Sequence, residues 1–337
     1  LAPNDGTARA IADAFGADKD VTSYVVTGQD AEKASIQYII DGKQSMTVLK
    51  DVRTLVSDAI TAALAYLEGK APEQTNTYNN GKIDVPAKPS VVVSVDQKNL
   101  KAAVIDSGYW PASDFTGLES MGAAPAAPAT ISGKVGVVLP TKDEPRWIQD
   151  ETRFKDAFAK AGYDVEILFS QGDSAKEKAN VESLITKGVK VLIICPQDGS
   201  AAAAAAEAAK AAGVKVISYD RLIRDTDAVD YYVTFDSIAV GAAQAQYLVD
   251  KATGTGNPLY LYAGAASDNN AFLFFEGAWK VLQPKIADGT FVIKNSSEAV
   301  ALQGKLDLTR DEMGKIIGQV TTNWDFNTAK NLAEANL

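Results

Sequence analysis

Asp220 and Arg221 stand side by side at the end of a complete parallel β-α-β unit, where a carboxylate next to a guanidinium suits bidentate bonds to adjacent hydroxyl groups. Val189 to Pro196, VKVLIICP, is a continuous apolar run that reads as a strand buried on both faces. The alanine-rich stretch from Ser200 to Ala212 reads as a helix, and Gly213 closes it before a second strand, VKVISY. Such units place ligands at the carboxyl ends of their strands, so both charged side chains are expected in a crevice. The same pattern recurs elsewhere. VGVVLP leads to Arg146-Trp147, PLYLYAG to Asp268-Asn269-Asn270, TSYVVTGQ to Asp30, SMTVL to Lys50, and the opening Leu1-Ala2-Pro3 to Asn4. These groups accept and donate hydrogen bonds, and it is their convergence as a set that points to a binding site.

The elements that must carry them alternate strand with amphipathic helix, which gives the α/β class with mostly parallel sheets. Helices are expected at about 6–15, 32–41, 52–68, 147–161, 174–187, 200–212, 238–252, 270–286 and 309–336. Residues 119–132, within which ESMGAAPAAPAT runs from Glu119 to Thr130, hold small residues and prolines without apolar periodicity and read as a flexible linker.

Composition narrows the function. A chain of 337 residues suggests two domains, each large enough to bury a core. A net charge of −10 argues against nucleic acid or an anionic membrane as partner, since either needs a basic face. There is no histidine, which removes Ser-His-Asp and Cys-His catalysis and histidine metal sites. No metal or cofactor is expected. The single cysteine, Cys195, reads as a small buried hydrophobe, and Gly254-Thr255-Gly256 precedes a strand, so it reads as a turn and not a nucleotide loop.

Several motifs together, PRW at 145–147, YDRLIR at 219–224, YYVTFD at 231–236, SDNNAF at 267–272, PND at 3–5 and GQDAE at 28–32, resemble the periplasmic sugar-binding proteins of the ribose, xylose and galactose type. The likeness is greatest to the xylose-binding and multiple-monosaccharide branch of these ABC-transporter receptors. It runs in the order Gly122 to Leu337 and then Leu1 to about Leu118, a circular permutation with the linker joining the native termini; a short stretch that the family places between Leu337 and Leu1 is absent. The resemblance implies a type I periplasmic binding protein fold of two doubly wound Rossmann-like lobes joined by a three-segment hinge. One lobe would comprise 133–236 plus 51–86, the other 237–337, 1–50 and 87–118. It also implies an exported protein at the periplasmic or outer face of the membrane, a lipid anchor in the native form, and a monomer. A membrane permease, with a chemoreceptor as a further candidate, would be the partner.

A monosaccharide shows hydroxyls at its edge and flat C–H patches on its faces, so its pocket needs planar polar side chains at the rim and aromatic rings above and below. Matched positions put Arg146, Asp220, Arg221, Asn270, Asn4, Asp30 and Lys50 on the rim, with Asp268 and Asn269 as further members. Trp147 and Trp324 are the candidate stacking faces; Trp279 reads as core with Phe275 and Leu282, Trp110 lies near the native carboxyl end, and neither is expected to touch the ligand. The function expected is a non-enzymatic receptor that encloses an aldopyranose such as xylose, glucose or galactose. Asp220→Ala is expected to abolish binding with little loss of stability. Two other readings remain: the effector domain of a sugar-responsive transcription regulator, and a sugar-phosphate enzyme with Asp30 or Lys50 as base.

Overall fold

The computed structural model describes residues 1–118, 135–162 and 165–337, so the linker assigned to 119–132 lies outside the described residues. In chain order the elements are α1 (Asp5–Ala17), α2 (Lys33–Ile40), β1 (Thr47–Leu49), α3 (Val52–Leu67), β2 (Asn76–Asn79), β3 (Asp84–Ser90) and β4 (Val93–Val95). There follow β5 (Val135–Leu139), α4 (Pro145–Lys160), β6 (Val165–Phe169), α5 (Ser174–Thr186), β7 (Val191–Ile194), α6 (Ala203–Ala211), β8 (Lys215–Tyr219) and β9 (Tyr231–Phe235). The chain ends with α7 (Ser237–Lys251), β10 (Asn257–Leu259), α8 (Asn269–Ala287), β11 (Phe291–Ile293), α9 (Ser297–Ala301), α10 (Arg310–Val320) and α11 (Phe326–Asn336).

Seven strands form one sheet in the order β2-β3-β9-β8-β7-β5-β6, parallel throughout except for the β2–β3 hairpin. Alternation along each strand divides its side chains between two cores. Val135, Val137, Val191 and Ile193 pack on one side with Val52, Leu55, Phe154 and Phe158 of α3 and α4. Val138, Leu192 and Ile194 pack on the other with Val181, Leu184, Ala205 and Ala209 of α5 and α6. Helices on both faces explain why these strands read as unbroken apolar runs. Cys195 is buried within the first of these cores, as a small hydrophobe.

The second layer is less regular. Its described ladders are β10–β11, parallel, and β1–β4, antiparallel, with isolated bridges at Gln29–Val48 and Ala263–Thr321. Leu1 joins it through main-chain bonds with Tyr260 and Tyr262, and α1 lies against α11. The expected strand at 22–29 forms no ladder of its own; scattered main-chain bonds tie it to the segment around β1, through Ser45 N to Val26 O at 3.0 Å, Val48 N to Gly28 O at 3.0 Å and Asp30 N to Val48 O at 2.9 Å. Helices α7 and α8 approach so closely that a Cβ on Gly241 would sit 1.8 Å from the Phe274 carbonyl oxygen.

Three boundaries differ from the sequence reading. The expected helix 309–336 is broken between α10 and α11, because Thr321 and Thr322 leave the helix to bond the backbone of Gly264 and Ala263. Asp325 then caps α11 by accepting from Thr328 N. The alanine helix starts at Ala203, since Asp198 takes the amides of Ser200 and Ala201 into a turn first. Strand β3 stays paired with β9 through Ser90, so the chain leaves the large sheet after that residue and not at 86.

Candidate functional site

The loops after β5 and β8 bring Arg146, Trp147, Asp220 and Arg221 to the carboxyl end of the seven-stranded sheet. The second layer faces them with Asn4 at the cap of α1, Asp30, Lys50 after β1, Asp268 and Asn270 at the start of α8, and Trp324 in the turn between α10 and α11. Together they line a cavity of about 290 Å³, part of it open to solvent. Gln29, Glu144 and Phe274 line it as well, and sequence reading missed them. Phe274 was detectable, because it lies one helical turn after Asn270 on the same face of α8. Gln29 lies inside the quoted GQDAE motif.

Asn269 does not line the cavity. As the first residue of α8 it turns away from the cavity to Arg224 and Arg310, which hold its side-chain oxygen at 3.0 and 2.9 Å. Of the two tryptophans not expected to touch the ligand, Trp279 bonds Lys305 O and Trp110 bonds Ala31 O, and neither lines the cavity.

A charge network joins the layers. Arg146 Nε donates to Asp150 Oδ2 at 2.6 Å, Nη2 to Asp220 Oδ1 at 2.9 Å and Nη1 to Asp30 Oδ1 at 3.3 Å. Lys50 Nζ sits 2.9 Å from Asp30 Oδ1 and 3.9 Å from Asp220 Oδ1. Arg221 pairs with Asp268 at 3.1 Å and Glu144 at 3.2 Å. Below the floor Tyr219 donates to Asp150. Burial opposes the charge of Arg146, but Asp150, Asp220 and Asp30 outweigh it and hold the guanidinium well above the ordinary arginine range. Burial likewise disfavours ionised Asp220, yet Arg146, Lys50 and Arg221 leave its pKa below the usual carboxylate value. At Asp268 burial prevails over the opposing pull of Arg221 and the Asn270 N–H, and the pKa rises to about 6.

What remains after this pairing is what a ligand can use. Asp30 and Asp220 commit only Oδ1 to these cations, so each keeps Oδ2 as an acceptor. Asn4 spends Oδ1 on Thr7 and keeps its amide donors, while Gln29 Oε1 is buried with no bond among the described residues. Asn270 is more fully used: Nδ2 donates to Asp220 O at 2.9 Å, and Oδ1 accepts weakly from Tyr232 and Ser237. Acceptors and donors therefore alternate around a small cavity, the pattern that vicinal hydroxyls match. The guanidinium carbons of Arg146 and Arg221 each lie 5.0 Å from the Trp147 ring centre, which fixes that ring as one wall. Phe274 and Trp324, edge to face at 6.3 Å, form the other.

The backbone is strained where the site needs it. Asp30, Asp220 and Trp324 have φ of 100°, 60° and 62°, conformations that side-chain-bearing residues hold only when their surroundings enforce them. Trp324 is enforced by contact: a Cβ on Gly264 would lie 2.0 Å from its ring. Among the described residues no cluster of His, Cys, Asp and Glu could hold a metal ion.

The profile of the periplasmic binding protein domain matches residues 1–71 and 135–337. The chain belongs to that family. Over 192 residues it is 40% identical to the multiple sugar-binding periplasmic receptor ChvE of Rhizobium radiobacter, covering 56% of this chain and 54% of the relative. Over 156 residues it is 36% identical to the D-xylose-binding periplasmic protein of Escherichia coli, covering 46% of each. A solved carbohydrate transporter solute binding protein from Chloroflexus aurantiacus, in complex with D-glucose, is 87% identical with a TM-score of 0.60 over 61% of each chain. The chain spans about half the length of the curated relatives it matches. No helix among the described residues is long and apolar enough to cross a membrane.

Proposed function

We propose that this protein is the solute receptor of an ABC sugar transporter, which takes a neutral aldopyranose between its two layers and closes around it by hinge motion. The observation that carries the reading is the cavity itself: free acceptors on Asp30 and Asp220 and donors on Asn4 converge on it from opposite layers. The glucose complex of the Chloroflexus relative and the names of the sugar-binding relatives support the same class of ligand. The periplasm, named for those relatives, is the matching compartment, with a permease as docking partner.

The layers serve as the two lobes, with 133–236 and 51–90 in one and the remainder in the other. We read the order of segments as a circular permutation; in its support, Leu1 bonds the backbone of Tyr260 and Tyr262 and α1 lies on α11, contacts that the order 237–337 followed by 1–50 requires. The relatives it matches are named as binding proteins and receptors, which supports the receptor reading over a sugar-phosphate enzyme.

Titration calorimetry with D-glucose, D-xylose and D-galactose tests the reading. At least one should bind more tightly than millimolar and be recovered unchanged. Failure of all three to bind would overturn it.

A further inference from the structure

We propose that Tyr109 and Trp110 are positioning residues for ligand binding, which brace the helix carrying Arg146 against the loop carrying Asp30. The inference rests on the sugar-receptor reading of the cavity. Neither residue lines that cavity, and both belong to the turn that follows a short π-helix at 101–106.

Tyr109 is 1% exposed and packs in the second layer with Ala31, Ile36 and Leu49, yet its polar atoms reach across to the first. Gln149 Nε2 of α4 donates to the Tyr109 hydroxyl at 2.6 Å, and Arg153 Nη2 of the same helix donates to its carbonyl at 3.3 Å. The guanidinium of Arg53, at the start of α3, lies 5.3 Å from the Tyr109 ring. Gln149 stands three residues after Arg146, on the same side of α4, so the tyrosine grips this helix about one turn from the ligand-facing arginine.

The next residue grips the opposite side. Trp110 Nε1 donates to the Ala31 carbonyl at 2.8 Å, and Lys33 Nζ lies 4.7 Å from its ring centre. Ala31 is fully buried at φ 51° and directly follows Asp30 at φ 100°. This strained pair sets the direction of the Asp30 carboxylate toward Arg146 and Lys50. Two successive residues thus tie α4 to the Asp30 loop, with a side-chain hydrogen bond at each end. If the tie is lost, the loop can relax and the fraction of molecules with both halves of the site in register falls, and apparent affinity falls with that fraction.

The test measures D-glucose and D-xylose binding by calorimetry, with dissociation followed by stopped flow, for the wild type and for Tyr109→Phe, Trp110→Phe, Gln149→Ala and Gln149→Glu. Urea unfolding without sugar is measured in parallel. Tyr109→Phe, Trp110→Phe and Gln149→Ala should each weaken binding roughly 3- to 10-fold, the yield of one hydrogen bond, mainly through faster dissociation. Their urea midpoints should stay near the wild-type value. Gln149→Glu should recover affinity relative to Gln149→Ala, because its carboxylate accepts from the Tyr109 hydroxyl. Wild-type affinity in the first three variants overturns the proposal, as does a loss of affinity that Gln149→Glu fails to reverse. A wild-type protein that binds neither of these sugars nor D-galactose overturns the receptor reading itself, a result distinct from the other two.

Discussion

Asp220 is the residue at which binding and stability can be separated most cleanly. Its Oδ1 is committed to Arg146 at 2.9 Å and Lys50 at 3.9 Å, and Oδ2 is left for a sugar hydroxyl. Asp220→Asn keeps the shape and tolerates the φ of 60° at this position, since Asn enters the left-handed region more readily than most residues. No cation is orphaned by the change: Arg146 retains Asp150 at 2.6 Å and Asp30 at 3.3 Å, and Lys50 retains Asp30 at 2.9 Å. The stability loss should therefore be about 1–2 kcal/mol, below the 3–5 kcal/mol typical of a broken buried pair. Replacing a charged acceptor by a neutral one costs binding about 1–2 kcal/mol, which is roughly a 5- to 30-fold rise in Kd. Asp220→Ala removes the acceptor entirely, about 1.5–3 kcal/mol or roughly 10- to 150-fold, and adds about 1–2 kcal/mol of left-handed strain. The near-neutral stability that the sequence suggested for this variant is thus not expected, because the carboxylate belongs to a buried network. Glucose calorimetry and ligand-free urea unfolding read the two effects. Wild-type affinity in Asp220→Ala, or a stability loss above about 4 kcal/mol in Asp220→Asn, would refute the reasoning.

Gly264→Ala places a Cβ 2.0 Å from the Trp324 ring, so the ring must retreat by more than an ångström; glucose affinity should fall at least about tenfold by calorimetry. Gly241→Ala meets the Phe274 carbonyl at 1.8 Å, main chain that no rotamer can clear, and should lower the thermal midpoint through a loss of about 1–3 kcal/mol or more. Glu177, 1% exposed and accepting from Gln197 N at 2.7 Å, has its pKa raised from 4.5 to about 7, chiefly by burial. A raised carboxyl pKa means a contribution present below about pH 4.5 and lost as pH climbs through about 7, so Glu177→Gln should be unchanged at pH 4 and more stable at pH 8 by about 2–3 kcal/mol in urea.

The strand ends were legible because a strand buried on both faces must be an apolar run, and polarity can return only where it stops. That rule located Arg146 and Asp220 beyond β5 and β8 and Lys50 beyond β1; Asp30 follows a segment that forms no ladder, and the structure gathers all four within one ion-pair network. It could not place Asn269, next to Asn270 in sequence but turned away from the cavity, where Arg224 and Arg310 hold its side-chain oxygen. Nor could it find the break at Thr321–Asp325, since the helical apolar pattern continues across it and only the backbone of Ala263 and Gly264, distant in sequence, competes for the two threonines.

The sequence by itself determined the alternation of strand and helix and the chemical types at each strand end, because burial and hydrogen-bonding capacity are properties of residues and their spacing. Tertiary structure alone decided which valences stay free. An oxygen of Asp30 or Asp220 is available to a ligand only because Arg146 and Lys50, brought from opposite layers, already hold its twin.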